Sequence, residues 1–281
     1  MIIDTHTHFY DPQRPQGVPW PAPTHELLFR QVLPEHFRAV AAPCGVAGTV
    51  VVEASAWLED NQWILDLAAQ TDLIVGFVGN LDPAGAEFAD HIRRFAANPL
   101  FRGIRCGGRA FEDVHTGGLL AGLEELVRHD LELDVLVSKQ HLGQVCEVAR
   151  ALPGIRIVIN HIAHVPIDGR APDSEWTTAI QQAAAMPGIY MKVSAVLEQS
   201  RVQPAPADPD FYRPTLEVLW QAFGEDRLIY GSNWPVCERA SDYVTAFAVV
   251  REFIDEKGTG AADKFWWRNA RAAYKYVERD V

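Results

Sequence analysis

Ile2-Ile3-Asp4-Thr5-His6-Thr7-His8 opens the chain as a short apolar run that ends in two alternating histidines. Successive side chains of a strand point to opposite faces, so a strand here puts His6 and His8 on one face. Two imidazoles converging at the C-terminal end of a strand can hold a metal ion, a water or an oxyanion. Near the other end, Leu228-Ile229-Tyr230-Gly231-Ser232-Asn233-Trp234-Pro235-Val236-Cys237 is a second apolar run, closing on a polar residue and a Trp-Pro turn. If these are the first and last strands of a closed barrel, they are neighbours and Asn233 faces the same site.

Similar runs recur between them. Strands are expected near Ile2–His6, Thr49–Glu53, Ile74–Asn80, Phe101–Arg105, Leu133–Val137, Ile155–His161, Ile189–Ser194 and Leu228–Ser232. They are rich in Val and Ile and nearly continuous in apolarity, as parallel strands buried on both faces are. Amphipathic stretches separate them. Glu59–Thr71 gathers Trp63, Ile64, Leu67 and Ala68 on one face, and Gly118–Leu131 gathers Leu119, Leu120, Leu123, Leu126 and Val127. Alternating strands and helices over residues 1–281 predict one α/β domain, a (β/α)8 TIM barrel. An open doubly wound sheet is the alternative, but no Gly-x-Gly-x-x-Gly follows the first strand. Ala261–Val277 reads as one extra C-terminal helix that packs Phe265, Trp266, Ala270, Ala273 and Tyr274. Long connections follow strands: Phe9–Pro34, Gly107–Gly117, Ala163–Ser174 and Ala195–Pro214. In a barrel these βα loops emerge at the C-terminal face, where active sites are built.

Composition narrows the class. With 281 residues, 48% hydrophobic and 22% charged, the chain has the size of one barrel. No apolar run reaches the length of a membrane span, and no basic segment precedes an apolar one as in a signal peptide. Cys44, Cys106, Cys146 and Cys237 are scattered without Cys-x-x-Cys pairing, which suits reduced thiols and a cytoplasmic location. A net charge of −12 argues against nucleic acid and anionic membrane as partners. No apolar stripe is clearly left over for an interface, so the state of assembly is open and a homo-oligomer is compatible.

Single positions carry the chemistry. His161 ends the sixth run and should point into the mouth; His164, three residues on, has even claims to lining it. The plain alternative for each is a hydrogen-bonded structural histidine. Glu53 follows Thr49-Val50-Val51-Val52, where a carboxylate is costly to bury unless paired. It can ligate a metal, act as a base, or neutralise a cation such as Arg105. Arg105 and Lys192 lie at corresponding ends of the fourth and seventh runs, where buried cations meet carboxylates or polarise carbonyls. Arg105 stands where a bridging carboxylated lysine would, and the fifth run ends in Leu136-Val137-Ser138-Lys139 without a histidine, so a two-metal site is not expected. Trp20, Trp57, Trp176 and Trp234 are candidates for aromatic walls, with ordinary packing the stronger reading of each.

Ile3-Asp4-Thr5-His6-Thr7-His8-Phe9-Tyr10-Asp11-Pro12, Phe101-Arg102-Gly103-Ile104-Arg105, Asn160-His161, Met191-Lys192-Val193-Ser194 and Tyr230-Gly231-Ser232-Asn233-Trp234-Pro235-Val236 fall at separate strand ends in that order. Together they resemble the amidohydrolase superfamily, in its branch of sugar lactonases and pyrone dicarboxylate lactonases. The resemblance spans essentially the whole chain. It implies a (β/α)8 barrel that hydrolyses lactones, with His6 and His8 as the first-strand metal pair, His161 as the sixth-strand histidine, and Arg105 and Lys192 as substrate-orienting cations. Trp234 and His164 join them as expected substrate contacts. The family's eighth-strand residue is commonly an aspartate serving as metal ligand or base; here it is Asn233, and an amide does neither well.

The expectation is a cytoplasmic hydrolase that opens a small lactone, with an aldonolactone as its partner. Water attacks the ring carbonyl, and Arg105, Lys192 or a metal on His6 and His8 stabilises the oxyanion. The catalytic set is His161 or Glu53 as base, with Asn233 orienting water or a substrate hydroxyl. One divalent metal, zinc first, is the expected cofactor, with a metal-independent reaction the alternative. Two rival classes are a metal-dependent decarboxylase of an aromatic or unsaturated acid and a non-catalytic ligand-binding barrel.

Overall fold

Eight parallel strands follow the eight expected runs: β1 Ile2–Thr7, β2 Val46–Val52, β3 Ile74–Gly79, β4 Phe101–Gly107, β5 Glu132–Leu136, β6 Arg156–Ile159, β7 Ile189–Val193 and β8 Leu228–Tyr230. The computed structural model describes residues 1–279; positions 280–281 of the expected domain lie outside the described residues. Each strand pairs with the next in sequence order, and a parallel bridge between Thr7 and Trp234 joins the first to the last. Asn233 N–H donates to the His6 carbonyl at 2.8 Å, and His8 N–H to the Trp234 carbonyl at 2.9 Å. The ring is therefore closed where the sequence placed its two site-bearing ends. Gly231 permits that closure. A Cβ there would lie 2.8 Å from His6 Cβ and 3.2 Å from Lys192 Cδ.

Helices α1 Pro34–Ala41, α2 Leu58–Ala68, α3 Phe88–Ala96, α4 Leu119–Arg128, α5 Leu142–Ala151, α6 Ser174–Ala184, α7 Pro209–Phe223 and α8 Tyr243–Asp255 follow β1 to β8 in turn. Their apolar faces and the outward faces of the strands make one large buried layer. Several boundaries differ from expectation by a few residues, and two of the differences have a clear physical reason. The loop after β7 ends at Asp208 rather than Pro214, because Asp208 caps α7 by accepting from Asp210 N–H and Pro209 occupies its first position. The expected C-terminal helix is α9 Thr259–Asp263, a π-turn Lys264–Arg268 and α10 Asn269–Tyr274, stopped by Lys275 in a left-handed conformation.

That last segment fills the barrel's N-terminal floor. Ala270, Ala273, Tyr274 and Tyr276 pack with Ile3, Val50, Val75, Val158 and Ile229 in a second, smaller buried cluster. Above them a polar axis crosses the barrel. Lys192 Nζ donates to Asp134 Oδ2 at 2.8 Å, and Tyr274 Oη donates to Asp134 Oδ1 at 2.8 Å. Among the described residues no helix is long and apolar enough to cross a membrane, and the four cysteines are buried free thiols.

Candidate active site

A cavity of about 600 Å³ opens at the C-terminal mouth. His8, Glu53, Arg105, His161 and Asn233 line it from the ends of β1, β2, β4, β6 and β8. Trp20, His164 and Glu198 line it from the loops after β1, β6 and β7. His6 lies directly beneath, fully buried, with its ring centroid 5.0 Å from His8 and 4.4 Å from His161.

Backbone strain is concentrated at this mouth. His161, Ile162, Ala163 and His164 form a left-handed turn, and Ala195 and Asn233 are left-handed as well, with φ from 47° to 66°. Such residues cost about 1–3 kcal/mol each when they carry a side chain and persist only where the surroundings impose them. Here Ser194 Oγ accepts from His161 N–H at 3.1 Å, and Trp176 Nε1 donates to the Ile162 carbonyl at 3.2 Å. The turn delivers His161 to the cavity wall and His164 to its rim.

The imidazoles are neutral at physiological pH. Burial pulls His8 down to about 3, helped by the nearby Arg105 charge. Burial likewise holds His6 and His161 well below the ordinary range, with Lys192 the next cause for His6 and His164 for His161. His8 Nδ1 faces the Val52 and Glu53 carbonyls at 2.9 and 3.1 Å. Carbonyls only accept, so Nδ1 carries the proton and Nε2 keeps its lone pair. His6 is the reverse. Its Nδ1 lies 3.2 Å from Lys192 Nζ, an ammonium that only donates, so the proton of the neutral ring sits on Nε2.

Arg105 is clamped. Its Nε donates to Glu53 Oε1 at 2.8 Å and its Nη2 to the Glu53 carbonyl at 3.0 Å, which fixes the guanidinium plane against the wall.

The amidohydrolase family model matches residues 3–276. This chain belongs to the amidohydrolase family. An L-fucono-1,5-lactonase of Burkholderia ambifaria is 33% identical over 247 residues, covering 86% of this chain and 82% of that protein. An L-fucono-1,5-lactonase of Burkholderia multivorans is 25% identical and covers 97% of this chain and 95% of its own length. An amidohydrolase of Burkholderia multivorans solved with bound zinc superposes with a TM-score of 0.86 at 22% identity, covering 98% of this chain and 99% of that one.

The donor set of this amidohydrolase is lean for a resident metal ion. A ligand nitrogen needs a free lone pair; His8 keeps one on Nε2, whereas His6, whose Nε2 is buried without a partner, would release the proton from that nitrogen to bind. The β8 position offers the amide of Asn233 in place of a carboxylate. Among the described residues, no three of His, Cys, Asp and Glu are grouped to hold a metal.

Several expected residues occupy other places than the sequence suggested. Lys192, expected to orient substrate, is fully buried on the barrel axis and does not line the cavity, because Asp134 draws it inward. Trp234, also expected at the substrate, packs its buried ring on Phe9 and Phe37 and donates Nε1–H to Glu238. Trp176 is core, Trp57 is exposed, and Trp20 is the tryptophan of the four that lines the cavity. Glu53 faces the cavity with its carboxylate committed to Arg105. Glu198 was missed. Its one signal is a carboxylate closing the apolar stretch Ala195-Val196-Leu197 within a loop at the active face.

Proposed function

We propose that this amidohydrolase opens a six-membered aldonolactone of the fuconolactone class by attack of water on the ring carbonyl. The observation that carries this reading is the wall itself. Uncharged imidazoles of His8 and His161 and the side chains of His164 and Asn233 offer hydrogen-bonding groups to a polyhydroxylated ring, and Trp20 offers an aromatic face. The names of the Burkholderia relatives support the same substrate class.

Arg105 is the cation for the carbonyl oxygen. Glu53 occupies its Nε and Nη2 and leaves Nη1 for the oxyanion that develops as water adds. Glu53 is thus a positioning residue. His161 orients water or a ring hydroxyl; burial makes it too weak a base to take a proton near neutrality. His6 supports His8 and His161 from below, and Lys192 sets its tautomer.

The reaction on this reading needs no metal. Proton release is followed with a pH indicator over a panel of aldono- and dicarboxylate lactones, with chelated and zinc-resupplied enzyme side by side. Rapid opening of a six-membered aldonolactone at equal rates in both states is expected. Activity only after zinc would overturn the metal-free reading. Silence across the panel in both states would overturn lactone opening and favour a decarboxylase or a non-catalytic barrel.

A further inference from the structure

Lactone opening requires a group that accepts the proton of the attacking water, and neither sequence candidate is suited to it. Glu53 is held by Arg105, and His161 is a weak base. Asn233, at the end of β8, has no proton-accepting chemistry near neutrality.

Glu198 lies beside it. It stands in the 3-10 turn Leu197–Gln199 after β7, lines the same cavity as Arg105 and His161, and its Oε1 accepts from Asn233 Nδ2 at 2.9 Å. Glu53 and Glu198 are the carboxylates of that lining, and Glu198 makes no salt bridge among the described residues. Arg239 lines the same cavity and its charge reaches Glu198 without a salt bridge between them. A carboxylate facing a cavity, fixed by an amide and not locked to a cation, is placed to receive a proton. We propose that Glu198 is the general base of this enzyme, with Asn233 as the positioning residue that holds its carboxylate toward the attacking water. The inference rests on the lactone-opening reading.

The water oxygen bonds to the ring carbonyl carbon, one water proton passes to the Glu198 carboxylate, and the carbonyl electron pair becomes the oxyanion beside Arg105. Collapse of the tetrahedral intermediate breaks the bond between carbonyl carbon and ring oxygen. The ring oxygen leaves with the proton held by Glu198, and the hydroxy acid ionises by releasing its own proton to solvent.

Burial pushes the Glu198 carboxyl up to about 7, offset in part by the Asn233 bond and by the Arg239 charge. The ionised form is the base, so activity should rise as pH increases through about 7 and level off above it.

The experiment compares pH profiles of kcat/KM, corrected for spontaneous hydrolysis, for the parent enzyme, Glu198→Gln, Glu198→Asp and the double variant Glu198→Gln/Asn233→Asp. Folding of each is checked by circular dichroism. Glu198→Gln should lower kcat about 10²-fold or more, leave KM within a few fold, and lose the rise near neutrality. Returning a carboxylate at position 233 should restore part of the rate. A folded Glu198→Gln enzyme with the parent's kcat and profile would overturn the assignment while lactone opening stands. If Glu198→Gln does not fold, Glu198→Asp decides: an unchanged kcat and midpoint overturn the base, and a lowered kcat with a displaced midpoint supports it. A parent enzyme silent on the whole panel removes both readings.

Discussion

Arg105–Glu53 and Lys192–Asp134 are both cation–carboxylate pairs reaching between strands of one barrel, and they have opposite fates. At the mouth, the Arg105 and Glu53 side chains keep 14% and 12% of their exposure; on the axis, Lys192 and Asp134 keep none. Arg105 and Asp134 are even register partners across β4 and β5, yet neither pairs with the other. The longer arginine reaches up to the cavity and the short aspartate stays on the axis, where Lys192 and Tyr274 satisfy it. A pair still partly open to solvent, with one free guanidinium nitrogen, is available to a ligand. A sealed pair with every partner internal can only organise the protein. Depth, rather than charge, separates substrate chemistry from architecture here.

The largest effect should come from breaking the sealed pair. Lys192→Met leaves Asp134 charged and buried, and should cost about 3–5 kcal/mol in urea unfolding. A loss below 1 kcal/mol, a figure set by the exposed-pair range, would mean that the axis is wetter than it looks. Arg105→Lys should divide by place as well. It keeps a cation but loses the fork, so kcat/KM should drop about 10²-fold, with the unfolding midpoint hardly moved. An Arg105→Lys enzyme as active as its parent would erase the functional difference between the two pairs. Tyr274→Phe removes one donor from Asp134 and should cost about 1.5–3 kcal/mol of stability with kcat unchanged; a fall in kcat at full stability would tie the floor to the chemistry. The smallest change belongs to Trp20→Ala, which should raise KM a few fold and leave kcat alone if the ring is only a wall. A large kcat loss in steady-state assays would give Trp20 a larger part.

The barrel was legible because parallel strands buried on both faces write themselves as Val- and Ile-rich runs, and all eight expected runs became strands. Part of the mouth was legible too. His8, Glu53, Arg105, His161, His164 and Asn233 share one cavity because each stands at or just after a strand end. What was illegible follows from geometry that residue type does not encode. Nothing in Met191-Lys192-Val193 tells that the lysine turns inward, since that depends on Asp134 two strands away. The turn His161–His164 adopts a conformation that its side chains disfavour, so no propensity foretells it. Glu198 was hidden because its role depends on Asn233, 35 residues later.

The closure of the ring also sets a timetable. Thr5 bonds to the Tyr230 carbonyl across 225 residues, Ser232 N–H to Asp4 across 228, and Tyr243 Oη to Asp4 across 239. β1 therefore waits for nearly the whole chain before its second edge is covered. Until then a partial sheet shows two open edges, each a template for a wrong neighbour. Contacts so distant in sequence make assembly slow and leave intermediates exposed to aggregation. A protein built this way should depend more on crowded-cell assistance while it folds than its sealed floor suggests once it has folded.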